Sequence, residues 1–314
     1  MAKKIHKFFR SLIKIILPLL FKVLIKLKLN RRVINFLNER SYNSNNKYDF
    51  EKIIENLLER KKIIALDVGA QGGFNSDNFF PKKYNIFFED ILIEPIKEEA
   101  EKLSKKKFII NKGLWSKEEK KKLFILDNRL GSSSMYEPDE SFFSLHNIKD
   151  KDFKDYKVTR TVEIECDTLS NQLAKLSISN LDYLKIDTQG AELEILKGIG
   201  DYRPLLLKIE AHFFSMYKNV PDWHNLISYL YELNYILIDW KGIGNHSTRI
   251  PVEADLIFIP NFNNEIGKKL ILANKEKFIS LMLIFGQLKL LQIVMNKFGI
   301  SDDELLKIED QYFN

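Results

Sequence analysis

Residues 62–74 read KIIALDVGAQGGF, and this stretch decides the fold. Lys62–Val68 is a short apolar run without alternation, the pattern of a strand buried on both faces of a parallel sheet. The glycines at 69, 72 and 73 let the backbone turn tightly and approach a ligand with no Cβ in the way. Their spacing is not the Gly-x-Gly-x-x-Gly of dinucleotide enzymes, so the loop by itself is a weak signal. The rest of the chain strengthens it. Asn85–Ile93 reads as a second strand closed by Glu94-Pro95, Lys107–Asn111 as a third, and Asp182–Asp187 as a fourth that runs directly into the helical residues 191–199, AELEILKGI. Leu205–Glu210, Tyr235–Trp240 and Asp255–Pro260 complete the set, with helical patterns at Lys97–Lys105 and Asp222–Leu233. Strands alternating with helices predict an α/β fold built from βαβ units around a parallel sheet.

Composition agrees with a folded domain. Apolar residues make up 45% of the 314, and 23 of them are Phe, enough for a sizeable core. The single cysteine, Cys166, excludes a disulfide framework and a multi-cysteine zinc site. It lies in the alternating stretch Val162–Cys166 and reads as a small strand residue rather than a nucleophile.

The net charge of +6 is unevenly spread. Residues 1–40 carry eleven Lys or Arg against one acid, Glu39, a charge of +10 that leaves −4 for the rest. The domain body therefore has no general nucleic-acid footprint, and no nucleic-acid partner is expected. Within residues 8–29 the longest apolar run is Ile15–Phe21, far short of the ~20 residues that span a bilayer. No small-residue cleavage site follows, so a secretory signal is not expected. On a helical wheel Lys4, Lys7, Arg10, Ser11, Lys14, Pro18, Lys22, Lys26 and Lys28 share one half. Leu12, Ile16, Leu19, Leu20, Val23, Leu24 and Leu27 share the other, with Phe21 and Ile25 as exceptions. This predicts a basic amphipathic helix, laid either in an anionic membrane surface or on the protein body.

The expected organisation is a basic helical arm over 1–40, a linker and lead-in helix over 41–60, a catalytic domain over 61–262 and a C-terminal helical extension over 263–314. The role of that extension is not readable. The expected location is the cytoplasm, with peripheral attachment to the inner face of the membrane through residues 1–30.

Four motifs in order carry a resemblance. Asp67-Val68-Gly69-Ala70, then Ile93-Glu94-Pro95, then Asn111-Lys112-Gly113-Leu114-Trp115 are similar to the cofactor motifs of class I methyltransferases. Residues 184–196, LKIDTQGAELEIL, resemble the signature of the FkbM family of methyltransferases, and Gly131-Ser132-Ser133-Ser134 resembles that family's Ser-rich segment. The likeness runs from about residue 60 to 260. It departs at Gln189, where Glu is the commoner family residue.

The resemblance implies a Rossmann-like, mostly parallel seven-stranded sheet with the last strand antiparallel and helices on both faces. It implies S-adenosylmethionine as cofactor and methyl transfer, frequently to a hydroxyl oxygen of a sugar or polyketide. The acceptor expected here is a hydroxyl on a small molecule, a glycan or a lipid-linked glycan. Read onto this chain, the cofactor residues are Asp67, Gly69, Ala70, Gly72 and Gly73 of the first loop, Glu94 for the ribose, and Gly113, Leu114 and Trp115 beside the adenine. Trp115 reads equally well as core. An acid after the second strand can accept both ribose hydroxyls.

A sulfonium methyl is already activated, so the protein must align the acceptor and take its proton. Asp187 ends the fourth strand, and Glu210 and His212 follow the fifth; these three are the catalytic candidates. Two rival readings stand beside this one: a non-catalytic assembly protein on the same fold, and a metal-dependent O-methyltransferase with Asp187 as ligand. No metal-ligating set is identifiable, so no metal is assigned.

The charge partition yields a first prediction. The full chain floats with anionic vesicles and is released by salt, since each basic residue near such a surface is worth about 1 kcal/mol. The chain lacking residues 1–30 stays at the bottom of the gradient. Equal flotation of both forms, or of neither, contradicts membrane attachment through the arm.

Overall fold

The computed structural model describes residues 49–103, 108–143, 148, 150–241 and 252–300, together with Val23. The chain divides into two compact units, Met1–Asp49 and Phe50–Asn314, and the second is the one described below. The predicted amphipathic arm lies outside the described residues. Among the described residues no helix is long and apolar enough to cross a membrane.

Helix α1 (Glu51–Leu58) precedes strand β1 (Ile63–Val68), which is followed by β2 (Phe88–Ile93), α2 (Lys97–Lys102), β3 (Phe108–Ile110), β4 (Gly113–Leu114), β5 (Glu119–Ile125) and β6 (Arg160–Asp167). Helix α3 (Leu169–Lys175), β7 (Tyr183–Ile186), α4 (Glu192–Lys197), β8 (Leu206–His212), α5 (Trp223–Glu232), β9 (Tyr235–Lys241) and β10 (Glu253–Pro260) come next, then α6 (Glu265–Ala273), α7 (Lys275–Ile284) and α8 (Leu288–Phe298). Seven strands form one sheet in the order β3-β2-β1-β7-β8-β10-β9. The pairs among β3, β2, β1, β7 and β8 are parallel, and β10 runs antiparallel to both of its neighbours. The α/β architecture with a mostly parallel seven-stranded sheet agrees with the expectation. The second strand begins later than expected because residues 82–87 form a 3-10 turn.

A small second sheet, β4-β6-β5, was not read from the sequence as a unit. Strand β5, EKKKLFI, is half-solvated and carries charge on its outer face, so its hydrophobic signal is short. Cys166 is buried in β6, as a strand residue should be.

Alternation along the central strands sorts their side chains to two faces. Leu66, Val68, Ile93, Leu184, Ile186 and Leu207 pack in one cluster with Leu169 and Leu173 of α3, Leu193 and Leu196 of α4, and Leu226 and Leu230 of α5. On the other face the Tyr183 ring lies 5.2 Å from Phe285 and 6.0 Å from Phe88, joined by Phe74 and Phe80. Phe285 caps α7, whose residues Phe278–Ile284 are all buried, and α7 packs against α1. The C-terminal helices thus build a layer of the core. After its charged first turn, Lys275–Lys277, helix α7 is buried on every side, and Ser280 is the one polar residue from Phe278 to Ile284.

A charged row crosses this second face. Asp67 in β1, Lys185 in β7 and Lys208 in β8 are register neighbours across three adjacent strands, and all are buried. Lys185 Nζ donates to Asp67 Oδ1 at 2.9 Å. Lys208 pairs with Asp77, on the loop after β1, and lies 3.1 Å from Asp255 Oδ1 in β10. Burial disfavours a lone ammonium, but these carboxylates reverse that and hold both lysines protonated, above their ordinary range.

Removing one partner of such a network leaves buried charge without compensation. Lys208→Met should therefore lower unfolding stability by about 3–5 kcal/mol, measured by urea denaturation. A loss no larger than an exposed Lys gives, within about 0.5 kcal/mol, contradicts the pairing.

Candidate active site

The carboxyl ends of β1, β2 and β7 open on one cleft. Its wall comprises Val68, Gly69 and Gln71 after β1; Ile93–Ile96 after β2; Lys112, Gly113 and Leu114; Leu123; Leu130, Gly131, Ser133 and Met135; and Asp187, Thr188 and Gln189 after β7. This is the position where open parallel sheets bind ligands, because helices diverge there and leave backbone groups exposed.

Gly69 has φ +79°, and a Cβ on it would stand 2.0 Å from the Asp187 carbonyl oxygen. Only glycine lets the loops after β1 and β7 touch. The N–H groups of Gly69 and Ala70 both donate to Ile93 O at 3.1 Å, which ties the first loop to the end of β2. Gly72 and Gly73, at φ +79° and +92°, turn the loop away from the sheet. Asp67 lies beneath: its carboxylate is buried on Lys185, which also reaches Gly69 O at 3.5 Å. Burial raises the Asp67 carboxyl, and the Lys185 ammonium offsets part of that.

Glu94 is buried in the cleft wall. Its Oε1 accepts from Ile96 N at 2.8 Å, and Asn111 Nδ2 donates to the Glu94 and Pro95 carbonyls at 2.8 and 3.1 Å. Burial pushes its carboxyl up to about 7, only partly opposed by the Ile96 N–H. A carboxylate held this dry is under-solvated and suited to accept donors from a ligand.

Asp187 is half-exposed and faces the cleft. Burial alone would raise its carboxyl, but the charges of Lys185 and Lys208 hold it below its ordinary range. Gln189 Nε2 donates to Asp187 Oδ1 at 3.3 Å and to Glu210 Oε2 at 2.6 Å. Tyr217 OH donates to Gln189 Oε1 at 2.9 Å. Burial and the adjacent Asp187 charge push Glu210 well above the carboxylate range. His212 Nε2 lies 3.1 Å from Glu210 Oε2. Gln189 itself adopts φ +60°, and Ser134 Oγ donates to its carbonyl at 2.7 Å. The amide at 189 thus bridges two carboxyl groups, where a Glu side chain would add a third acid.

Of the sequence-read residues, Gly69, Glu94, Gly113, Leu114 and Asp187 line the cleft. Asp67, Ala70, Gly72 and Gly73 shape the loop without forming its wall. Glu210 and His212 stand behind Gln189 rather than in the wall. Trp115 is packed in the core: Tyr136 lies 5.9 Å away and Lys121 Nζ 3.9 Å above its ring. The motif around it is equally compatible with either placement, so only packing decides. Gly113 is required by the second sheet, since a Cβ there would meet Cys166 Sγ at 2.5 Å. Sequence reasoning missed Gln71, Lys112, Leu130 and Met135 as wall residues. Leu130 and Met135 flank the Ser-rich segment, which was the available signal.

A family model described as "Methyltransferase FkbM domain" matches residues 67–237, more than half of the chain. No curated protein matches the chain significantly. The match begins at Asp67, at the cleft's first loop, and contains every wall residue named above. With that span and that cleft, the chain belongs to the FkbM family of methyltransferases.

Proposed function

We propose that the chain uses S-adenosylmethionine as donor, in a Rossmann-like class I site, and methylates a hydroxyl oxygen of a sugar, glycan or lipid-linked glycan. The observation that carries the reading is Glu94: a buried carboxylate at the end of β2, in the wall of the cleft that Gly69 opens. The residues fit the cofactor. Glu94 can accept both ribose hydroxyls, the bare Gly69 backbone admits close approach, and Gly113 and Leu114 offer backbone and apolar surface to a flat base. When bound, S-adenosylmethionine supplies an electrophilic methyl on a sulfonium.

The chain's own residues align the acceptor and receive its proton. Asp187 is the acid whose carboxylate faces the cleft, and Gln189 fixes its orientation. Glu210 and His212 back this pair. The basic arm of residues 1–40 suits an acceptor held at an anionic membrane surface.

Two outcomes follow. Ribose hydroxyls donate to the ionised carboxylate, and Glu94 ionises only near pH 7 in the free protein. Affinity for S-adenosylhomocysteine, read by calorimetry, should therefore fall about tenfold from pH 8 to pH 6. Glu94→Gln should bind more weakly and lose that pH dependence. A pH-independent affinity equal in both proteins would sink the ribose assignment. Secondly, Asp187→Asn should keep cofactor affinity while lowering turnover on a hydroxyl acceptor by roughly 10²–10⁴-fold. Turnover at the wild-type rate contradicts the placement of the proton acceptor.

A further inference from the structure

Behind the cleft segment 187–189 lie three residues that the methyl-transfer reading does not use directly. Glu192, Glu210 and His212 each point one ligand atom into the same space, and those atoms all lie within 4.8 Å of one another. Glu192 is 4% exposed, and the His212 side chain is 2% exposed. His212 Nδ1 has no hydrogen-bond partner, and Nε2 faces only Glu210 Oε2, 3.1 Å away. A buried imidazole nitrogen left unsatisfied is costly, and native structures rarely leave such a group without a ligand. Glu192 is held in place by one oxygen alone: its Oε1 accepts from Thr188 N, Thr188 Oγ1 and Gly190 N at 2.9, 3.0 and 3.1 Å. Its Oε2 has no such role. Glu210 is fixed by Gln189.

We propose that Glu192, Glu210 and His212 form a binding site for a divalent first-row transition cation. Two carboxylates and one imidazole make a mixed donor set, borderline in hardness, that suits Mn²⁺ or Zn²⁺ better than Ca²⁺. Three protein ligands leave coordination positions open, as in catalytic rather than structural metal sites. The site adjoins the cleft, because Gln189 and Thr188 line that wall and hold Glu210 and Glu192 respectively. On the methyl-transfer reading, and only on it, such a cation would lower the pKa of an acceptor hydroxyl beside Asp187.

The test uses the full chain, stripped with chelator and free of S-adenosylmethionine. Mn²⁺ alone is titrated in and followed by loss of the free-ion electron paramagnetic resonance signal. One tight site per chain is expected, displaced stoichiometrically by Zn²⁺. Pulsed resonance on the bound Mn²⁺ should show coupling to a single histidine ¹⁴N. His212→Ala and Glu192→Gln should each weaken Mn²⁺ binding at least tenfold, with far-ultraviolet circular dichroism unchanged. No stoichiometric uptake by the wild type, or bound Mn²⁺ without a nitrogen coupling, overturns the site, and both are read without any variant. Calorimetry with S-adenosylhomocysteine on the same sample separates the two ideas. Mn²⁺ uptake without cofactor binding keeps the metal site and removes the methyl-transfer reading; cofactor binding without Mn²⁺ uptake does the reverse.

Discussion

The buried ion pair between Lys185 and Asp67 is the contact on which the rest of the site depends. It joins β1 to β7, the two strands whose ends diverge to open the cleft, at 2.9 Å and out of reach of water. A lysine in the middle of a central strand is tolerable only with such a partner. The pairing fixes Asp67 below the glycine loop and leaves Asp187, 3.7 Å from the same ammonium, on the cleft side. One cation thereby sets the register of two loops and the charge state of the acid at their junction. Lys208 repeats the device one strand further on, tying β8 to β10 and to the loop that carries Asp77.

From this row the two faces of the sheet take different work. One face is a conventional aliphatic core against α3, α4 and α5. The other combines the charged row with an aromatic cluster and the buried stretch Phe278–Ile284 of α7. Glu210 and His212 lie on β8 at alternate positions from Lys208, and hence on this charged face. The chemistry-bearing residues are therefore anchored on strands, which hold side chains more precisely than loops do.

Much of this was legible in the sequence, because the parallel strands are continuous apolar runs and the helix after β7 starts at once. Asp67, Gly69, Glu94 and Asp187 were legible because strand ends and glycines mark where a sheet opens. Other features were not. Strand β5 hides behind three consecutive lysines. Trp115 sits in a cofactor-like motif yet packs beneath Lys121, a choice made by tertiary contacts alone. Helix α7 has an apolar pattern that says it is buried but not against what. His212 gave no sign that its buried Nδ1 lacks a partner, since hydrogen-bond satisfaction is a property of three-dimensional neighbours and not of spacing.

The central claim is that the cleft between the ends of β1, β2 and β7 is where the methyl donor's nucleoside is held. Hydrogen exchange of the chain with and without S-adenosylhomocysteine measures this most directly. The account predicts added protection in residues 68–73, 93–96, 112–115 and 187–190, with the antiparallel strand β10 unchanged. Protection confined to other segments, or none at saturating ligand, would contradict it.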